Sequence, residues 1–295
     1  MKTYFECIPC FFMQALRAAE TAKATPVQQK VIMDAVATRI PQFSMTCTPP
    51  EMGQVLYRVI RQVTGIKDPY RREKKQSNRI MLDLYPFFKE KIMEAEDSLR
   101  SAVLLSVSGN IVDYGAKHQI DVDAEVKKLV EKSDFSQKGE MFYYQHFFQE
   151  LEKAETILFL GDNAGEIVCD KLLIEEILRR FGKKKLYFAV RGEPIINDVL
   201  TEDALVCGID KLAEVISNGS DAPGTIVSDC SREFRDVFSS ADLIISKGQG
   251  NFETLSDRPE NIFFLLKAKC PTIARHLECA VGDTIVIGRD KAKVK

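Results

Sequence analysis

No charge of one sign prevails in this chain: 41 Lys and Arg face 43 Asp and Glu, a formal net charge of -2. That balance withholds the long-range field that a nucleic-acid or membrane surface would need as a main partner. The one basic cluster, Arg71-Arg72-Glu73-Lys74-Lys75, reads as a solvated helix face rather than a phosphate track. Long apolar runs are missing too. The uncharged stretch from Ser101 to Val112 contains Ser, Gly and Asn and is too short to span a bilayer. Met1 to Cys7 has an acid where a secretory leader needs an apolar core, so no targeting segment is legible and a cytoplasmic location is expected. Histidine is scarce, and His118, His146 and His276 lack any ligand spacing such as HExxH. Repeats, low-complexity segments and long linkers are absent as well.

The eight cysteines are mostly scattered through apolar or helical contexts, as Cys169, Cys207 and Cys270 are. This suits a reducing compartment better than a disulfide framework. Cys7 and Cys10 have the spacing of half a zinc or redox site. Without a partner pair they stand as a candidate second, structural metal site, with Cys47 the nearest further thiol in sequence.

The first half reads as helix after helix. Periodicity marks Phe11 to Ala24, Val27 to Ile40 behind a Thr25-Pro26 start, and a helix behind the capping box of Thr48-Pro49-Pro50-Glu51 that ends at Gly65. Further patterns run over Pro69 to Leu84, Pro86 to Ala95, Ser98 to Ser108, Val122 to Glu131 and Glu140 to Ala154. The stripe Phe142, Tyr143, Phe147, Phe148 and Leu151 reads as core or cap interface rather than a stacking platform. After Ala154 short β-rich runs appear at Ile157–Leu160, Leu186–Val190, Glu214–Ile216, Leu243–Ile245, Ile262–Leu265 and Thr284–Ile287. Such alternation predicts an α/β fold, a mostly parallel sheet with crossover helices on both faces. Residues 1-154 are expected to form a helical region packed on the core as a cap, and 155-295 the α/β core itself.

The rest of the chain is organised around Ile157-Leu158-Phe159-Leu160-Gly161-Asp162-Asn163-Ala164-Gly165-Glu166, a strand, a tight turn and a helix start. Ligands bind at the carboxyl end of such a strand, where free N–H groups and the helix dipole point. An Asp there repels a naked phosphate and makes sense with a cation between them. A second strand end supplies Arg191 and, further on, Asn197-Asp198; a later one supplies Lys247-Gly248-Gln249-Gly250-Asn251. Two carboxylates and an amide oxygen suit a hard divalent cation, and Lys247 between flexible glycines suits an anion. Taken singly, each is equally a helix cap or a turn. The loop Asn218 to Thr225 follows a strand and is placed to line the cleft or to serve as a plain connection.

Gly161-Asp162-Asn163-Ala164-Gly165-Glu166, Asn197-Asp198-Val199 and Lys247-Gly248-Gln249-Gly250-Asn251 resemble the motifs of the damage-control phosphatase family, domain of unknown function 89. Cys7-Ile8-Pro9-Cys10-Phe11 and Ser108-Gly109-Asn110-Ile111-Val112-Asp113 are similar to its stand-alone microbial branch. Separated motifs in order are more specific than any single Gly-rich string. The resemblance implies a three-layer α/β/α, doubly wound core under a helical N-terminal part. It also implies a metal-dependent phosphatase for small phosphorylated metabolites such as sugar phosphates or nucleotides. By motif, Asp162, Asn163 and Asp198 would hold manganese, nickel, cobalt or magnesium, and Lys247 the phosphate. Asn110, Asp113, Glu166, Arg191 and Asn251 complete the expected substrate side. The sugar-phosphate members carry the string Lys-Gly-Asp-Leu-Asn; here it reads Lys247-Gly248-Gln249-Gly250-Asn251, which keeps Lys and Asn and departs from them between Gly248 and Asn251. The expected chemistry is metal-assisted hydrolysis, with Lys247 and the N–H groups around Ala164 taking up charge on the phosphoryl oxygens. Two rivals stay open: a carboxyl methyltransferase using S-adenosylmethionine, and a non-catalytic module that binds a nucleotide or sugar phosphate. Substrate, physiological metal, general acid or base, strand order and oligomeric state are not legible.

Overall fold

All six β-rich runs are strands in the computed structural model, which describes residues 1–109 and 142–292. They are β1 Thr156–Leu160, β2 Lys185–Val190, β3 Glu214–Ser217, β4 Leu243–Lys247, β5 Ile262–Lys267 and β6 Thr284–Gly288. One sheet results, in the order β3-β2-β1-β4-β5-β6, parallel from β3 to β5 with β6 antiparallel at the edge. Strand β1 alternates between two cores: Ile157 and Phe159 face one, Leu158 and Leu160 the other. A strand buried on both faces needs apolar residues at every position, which is why these runs read as continuous rather than alternating. The chain winds outward from β1 in one direction and from β4 in the other. The crevice between β1 and β4 is therefore the topological switch point where such folds bind ligands.

Helices α1 Cys7–Thr21, α2 Pro26–Arg39, α3 Pro49–Thr64, α4 Arg71–Glu94, α5 Ser98–Ser108 and α6 Tyr144–Lys153 precede the sheet. The capping signals do their expected work. Gln28 N–H donates to Thr25 Oγ1 at 3.3 Å and Thr25 N–H to Gln28 Oε1 at 3.0 Å, Glu51 accepts from Thr48 N–H at 2.6 Å, and Gly65 ends α3 left-handed at φ 72°. Two expectations change. The helix expected from Phe11 begins at Cys7, because Pro9 falls in its first turn, where no intrahelical N–H is needed. The two helices expected on either side of Pro86 are one, α4; Pro86 is exposed, so water can satisfy the carbonyl it leaves free. Asn110, Asp113, His118 and the helix expected over Val122 to Glu131 lie outside the described residues. Among the described residues no helix is long and apolar enough to cross a membrane.

The helical half does two jobs. Helices α4, α5 and α6 supply Met81, Val103 and Phe147 to the same core as Ile157 and Phe159, so they are one layer of the sandwich. Helices α1 to α3 build a separate core from Phe11, Ile32, Met52 and Ile60 that closes on Ile195. Arg58 and Arg61 of α3 tie that bundle to Asp221 with contacts of 2.7 and 2.5 Å. The later helices are α7 Glu166–Phe181, α8 Thr201–Cys207, α9 Arg232–Ser240, α10 Gln249–Leu255, α11 Pro271–His276 and α12 Arg289–Ala292.

Candidate metal and phosphate site

Past Leu160 the chain leaves the sheet but keeps pairing. Val199 N–H donates to Asp162 O at 2.9 Å, Ala164 N–H to Asn197 O at 2.9 Å, and Asn163 and Asp198 form an antiparallel bridge. These bonds bring Asp162, Asn163 and Asp198 together, 8, 6 and 3 % exposed. Asn163 Nδ2 donates to Asp162 Oδ2 at 2.8 Å and to Glu166 Oε2 at 3.4 Å. Asp198 is fixed by Arg191 Nε at 2.7 Å, and Arg191 also donates to Thr225 Oγ1 and Asn251 Oδ1, both at 3.2 Å. Asn251 is fully buried, and its Nδ2 donates to Lys247 O at 2.8 Å. The loop from Asn218 to Thr225 thus does reach the cleft, through Thr225.

Gly248 shapes the space. Its φ of 81° and ψ of 162° lie in a region essentially reserved for glycine. A Cβ there would stand 2.0 Å from Asp162 Oδ2, so the carboxylate occupies room that only this residue leaves open. The loops after β1 and β4 meet across the switch point at that contact.

Electrostatically the site is short of positive charge. Around the turn the carboxylates of Asp162, Glu166, Asp170 and Asp198 are all buried, against the cations Arg191 and Lys247. Fully ionised, that set carries two negative charges in excess. Burial first, then the charges of Glu166 and Asp198, push the Asp162 carboxyl up to about 8. Burial likewise raises Asp198 in spite of Arg191, and raises Asp170 to about 6 in spite of Lys247. Carboxylates forced into that state are relieved by a divalent cation. Two carboxylates and an amide oxygen are a hard donor set, so the residues fit magnesium- or manganese-like ions. Among the described residues no three His, Cys, Asp or Glu side chains converge as a metal-holding group.

Lys247 stands differently from the phosphate anchor expected of it. Its side chain is fully buried, and Nζ donates to Glu166 Oε1 at 2.6 Å, Asp170 Oδ1 at 2.5 Å and Ser106 O at 2.9 Å. All three protons are spent. Burial opposes its charge, but Asp170 and Glu166 hold the ammonium above the ordinary lysine range. The N–H groups at Ala164 and Gly165, also expected to face phosphate, are spent as well, on Asn197 O and on Asn78 Oδ1 at 2.7 Å. Glu166, Arg191 and Asn251, expected on the substrate side, bond to their neighbours in the floor of the cleft. Cys7 is half-buried and Cys10 exposed, and burial pushes the Cys7 thiol up.

Sequence reasoning passed over Asp170, Ser106, Asn78 and Lys74. Asp170 lies one turn after Glu166 on α7, a signal that was available. The basic run from Arg71 reads as a solvated face, yet Lys74 is 1 % exposed. The physical reason is period: Lys74, Ser77, Asn78 and Met81 share one face of α4, and that face lies against the turn at Gly165.

Comparison with known proteins fits this geometry. The model of the damage-control phosphatase ARMT1-like domain matches residues 3–285. The chain belongs to that family. A damage-control phosphatase of Pyrococcus horikoshii is 33% identical over 297 residues, covering 100% of both chains. One from Archaeoglobus fulgidus is 37% identical over 232 residues, 78% of this chain and 79% of that one. The crystal structure of the Pyrococcus horikoshii DUF89 family protein superposes with a TM-score of 0.88 over 98% of this chain and 99% of that chain, at 33% identity. Membership of the family fits the six-stranded, mostly parallel α/β architecture and the order of the motifs along it.

Proposed function

We propose that this chain is a metal-dependent phosphatase that hydrolyses phosphomonoesters of small, damaged or side-product metabolites, the activity its relatives are named for. The observation that carries the reading is the meeting of Asp162, Asn163 and Asp198 at one buried point with negative charge in excess. Asp162, Asn163 and Asp198 would hold a divalent ion, manganese, nickel, cobalt or magnesium. The chemistry supplied there would be polarisation of a phosphoryl oxygen and a lowered pKa of a bound water.

The protein's part is positioning. Arg191 keeps Asp198 oriented, Gly248 leaves room for Asp162, and Lys247 holds Glu166 and Asp170 beneath them. Little covalent work falls to the side chains, so orientation and charge supply most of the rate. The Asp162 carboxylate fills the space where a dinucleotide or methyl-donor fold would need open backbone, which favours a cation over S-adenosylmethionine. We place the activity in the cytoplasm, where eight free thiols persist. The test is turnover of p-nitrophenyl phosphate and of a phosphorylated-metabolite panel under each divalent ion. The reading fails if Asp162→Ala retains metal-dependent turnover.

A further inference from the structure

A phosphatase needs a cation for the phosphoryl oxygens, and the residue expected in that role, Lys247, has no proton left to give. Arg191 is largely committed to Asp198, Thr225 and Asn251. Among the described residues two further lysines, Lys269 and Lys74, put charge on the proposed ligands. Lys269 is exposed, and its charge reaches both Asp162 and Asp198 from solvent. Lys74 comes from α4 and is 1 % exposed.

Lys74 is the unusual one. Its Nζ lies 2.8 Å from Asp68 Oδ2, an ion pair without the alignment of a hydrogen bond, and among the described residues Nζ makes no hydrogen bond. A buried ammonium with unspent protons is costly to keep, and a lysine that served only to hold α4 in place would be expected to spend them. Its charge reaches Asp198 and Asp203. One turn on, Asn78 donates to Asp203 at 2.7 Å and accepts from Gly165 N–H at 2.7 Å, and Ser77 Cβ lies 3.1 Å from the Cβ position of Gly165, so the face of α4 that carries Lys74 is pinned against the turn that bears Asn163. Tyr57 of α3 is hydrogen-bonded to Tyr70 on the same side, and its charge neighbours include Asp198.

We propose that Lys74, carried by the helical half, is the cation that receives the substrate's phosphoryl group beside Asp198, leaving Asp68 to do so. The proposal rests on the phosphatase reading for its site but not for its test. Asp68 acts as the resident counterion that a phosphate displaces, and substrate binding thereby ties α4 to the sheet.

The experiment measures inorganic phosphate binding to the manganese-loaded full chain by calorimetry, with manganese affinity measured separately. Lys74→Met should weaken phosphate binding by about tenfold or more, Lys74→Arg should recover to within about threefold of wild type, and Lys269→Met should change it by less than about threefold. Manganese affinity should hold within about threefold in all of them. Phosphate binding by Lys74→Met equal to wild type, a loss confined to manganese affinity or melting temperature, or a wild-type chain that binds no phosphate overturns the proposal. If Lys74→Met does not fold, Asp68→Asn decides: it keeps the ammonium and removes its competitor, so phosphate should bind as tightly or more tightly. A tenfold weakening there refutes the assignment. Lys74-dependent phosphate binding without turnover of any phosphomonoester would overturn the phosphatase reading alone.

Discussion

Gly248→Ala separates backbone strain from damage to the site. The residue's φ of 81° and ψ of 162° fall where an L side chain costs about 1–3 kcal/mol. That term alone would lower stability and leave function intact. The second effect is steric: the new methyl would start 2.0 Å from Asp162 Oδ2 and 2.2 Å from its Cγ, against ordinary carbon–oxygen contacts of about 3.3 Å. Asp162 cannot retreat along its backbone, because Val199 N–H holds its carbonyl at 2.9 Å. The carboxylate must therefore rotate by more than about 1 Å, and a displacement of that size in a reacting group costs on the order of a hundredfold in rate. Gly182→Ala is the control. Gly182 has φ 75° and ψ -163°, a comparable strain, with nothing within 4 Å of its Cβ position. Urea denaturation should show similar losses for the two variants, whereas manganese titration and metal-supplemented turnover should fall only in Gly248→Ala. Wild-type manganese affinity and turnover in Gly248→Ala would refute the reasoning.

Lys247→Met removes the cation bonded to both Glu166 and Asp170 and should cost about 3–5 kcal/mol in urea denaturation, even without metal; a loss below about 1 kcal/mol would show the lysine to be free after all. Acid should loosen the α1 to α3 bundle through Asp221. Although burial opposes it, Arg58, Gln54 and Arg61 pull that carboxyl from 3.8 to about 2. Its folded value lies below its unfolded one, so the stabilisation is complete above about pH 4 and disappears as pH falls through about 2. A shift of this size amounts to about 2 kcal/mol, and to about 1 once screening at Arg58, 51 % exposed, is allowed for. The stability gap between wild type and Asp221→Asn should narrow between about pH 6 and about pH 2.5, and a gap that ignores pH would refute the clamp.

The sheet was legible because its strands are buried on both faces, and runs such as Ile157–Leu160 have no other stable reading between turn signals. Caps were legible for a local reason: Thr25 with Gln28 and Thr48 with Glu51 act across three residues. The proposed ligands Asp162 and Asn163 were visible as a polar pair at a strand end and Asp198 as a carboxylate past the next strand, but the pairing of 162–164 with 197–199 that brings the three together is not local. Lys247 shows where local reading stops. In sequence it is a cation among glycines, and the two carboxylates that neutralise it lie 81 and 77 residues away. Lys74 was hidden for the opposite reason. Its stripe has helical period but is polar at three of four positions, and a search for apolar periodicity passes over a buried polar face.

The helical half also explains how a strained ligand loop is kept. Ile196, next to Asn197-Asp198, has φ 42°, a conformation a β-branched residue does not take unless its surroundings impose it. Those surroundings are the small bundle: Ile195 is 1 % exposed in the core of α1 to α3, Ile196 packs against the same core, and Arg61 donates to Pro194 O at 2.8 Å. Burying two isoleucines offsets the cost of one unfavourable backbone, roughly 1–3 kcal/mol. The loop that aims Asp198 at Asn163 is thus held from the helical side, while the turn bearing Asp162 is held from the sheet side by Val199. The proposed metal site sits where these two supports meet, so its geometry depends on the bundle being seated, which the Asp221 clamp secures.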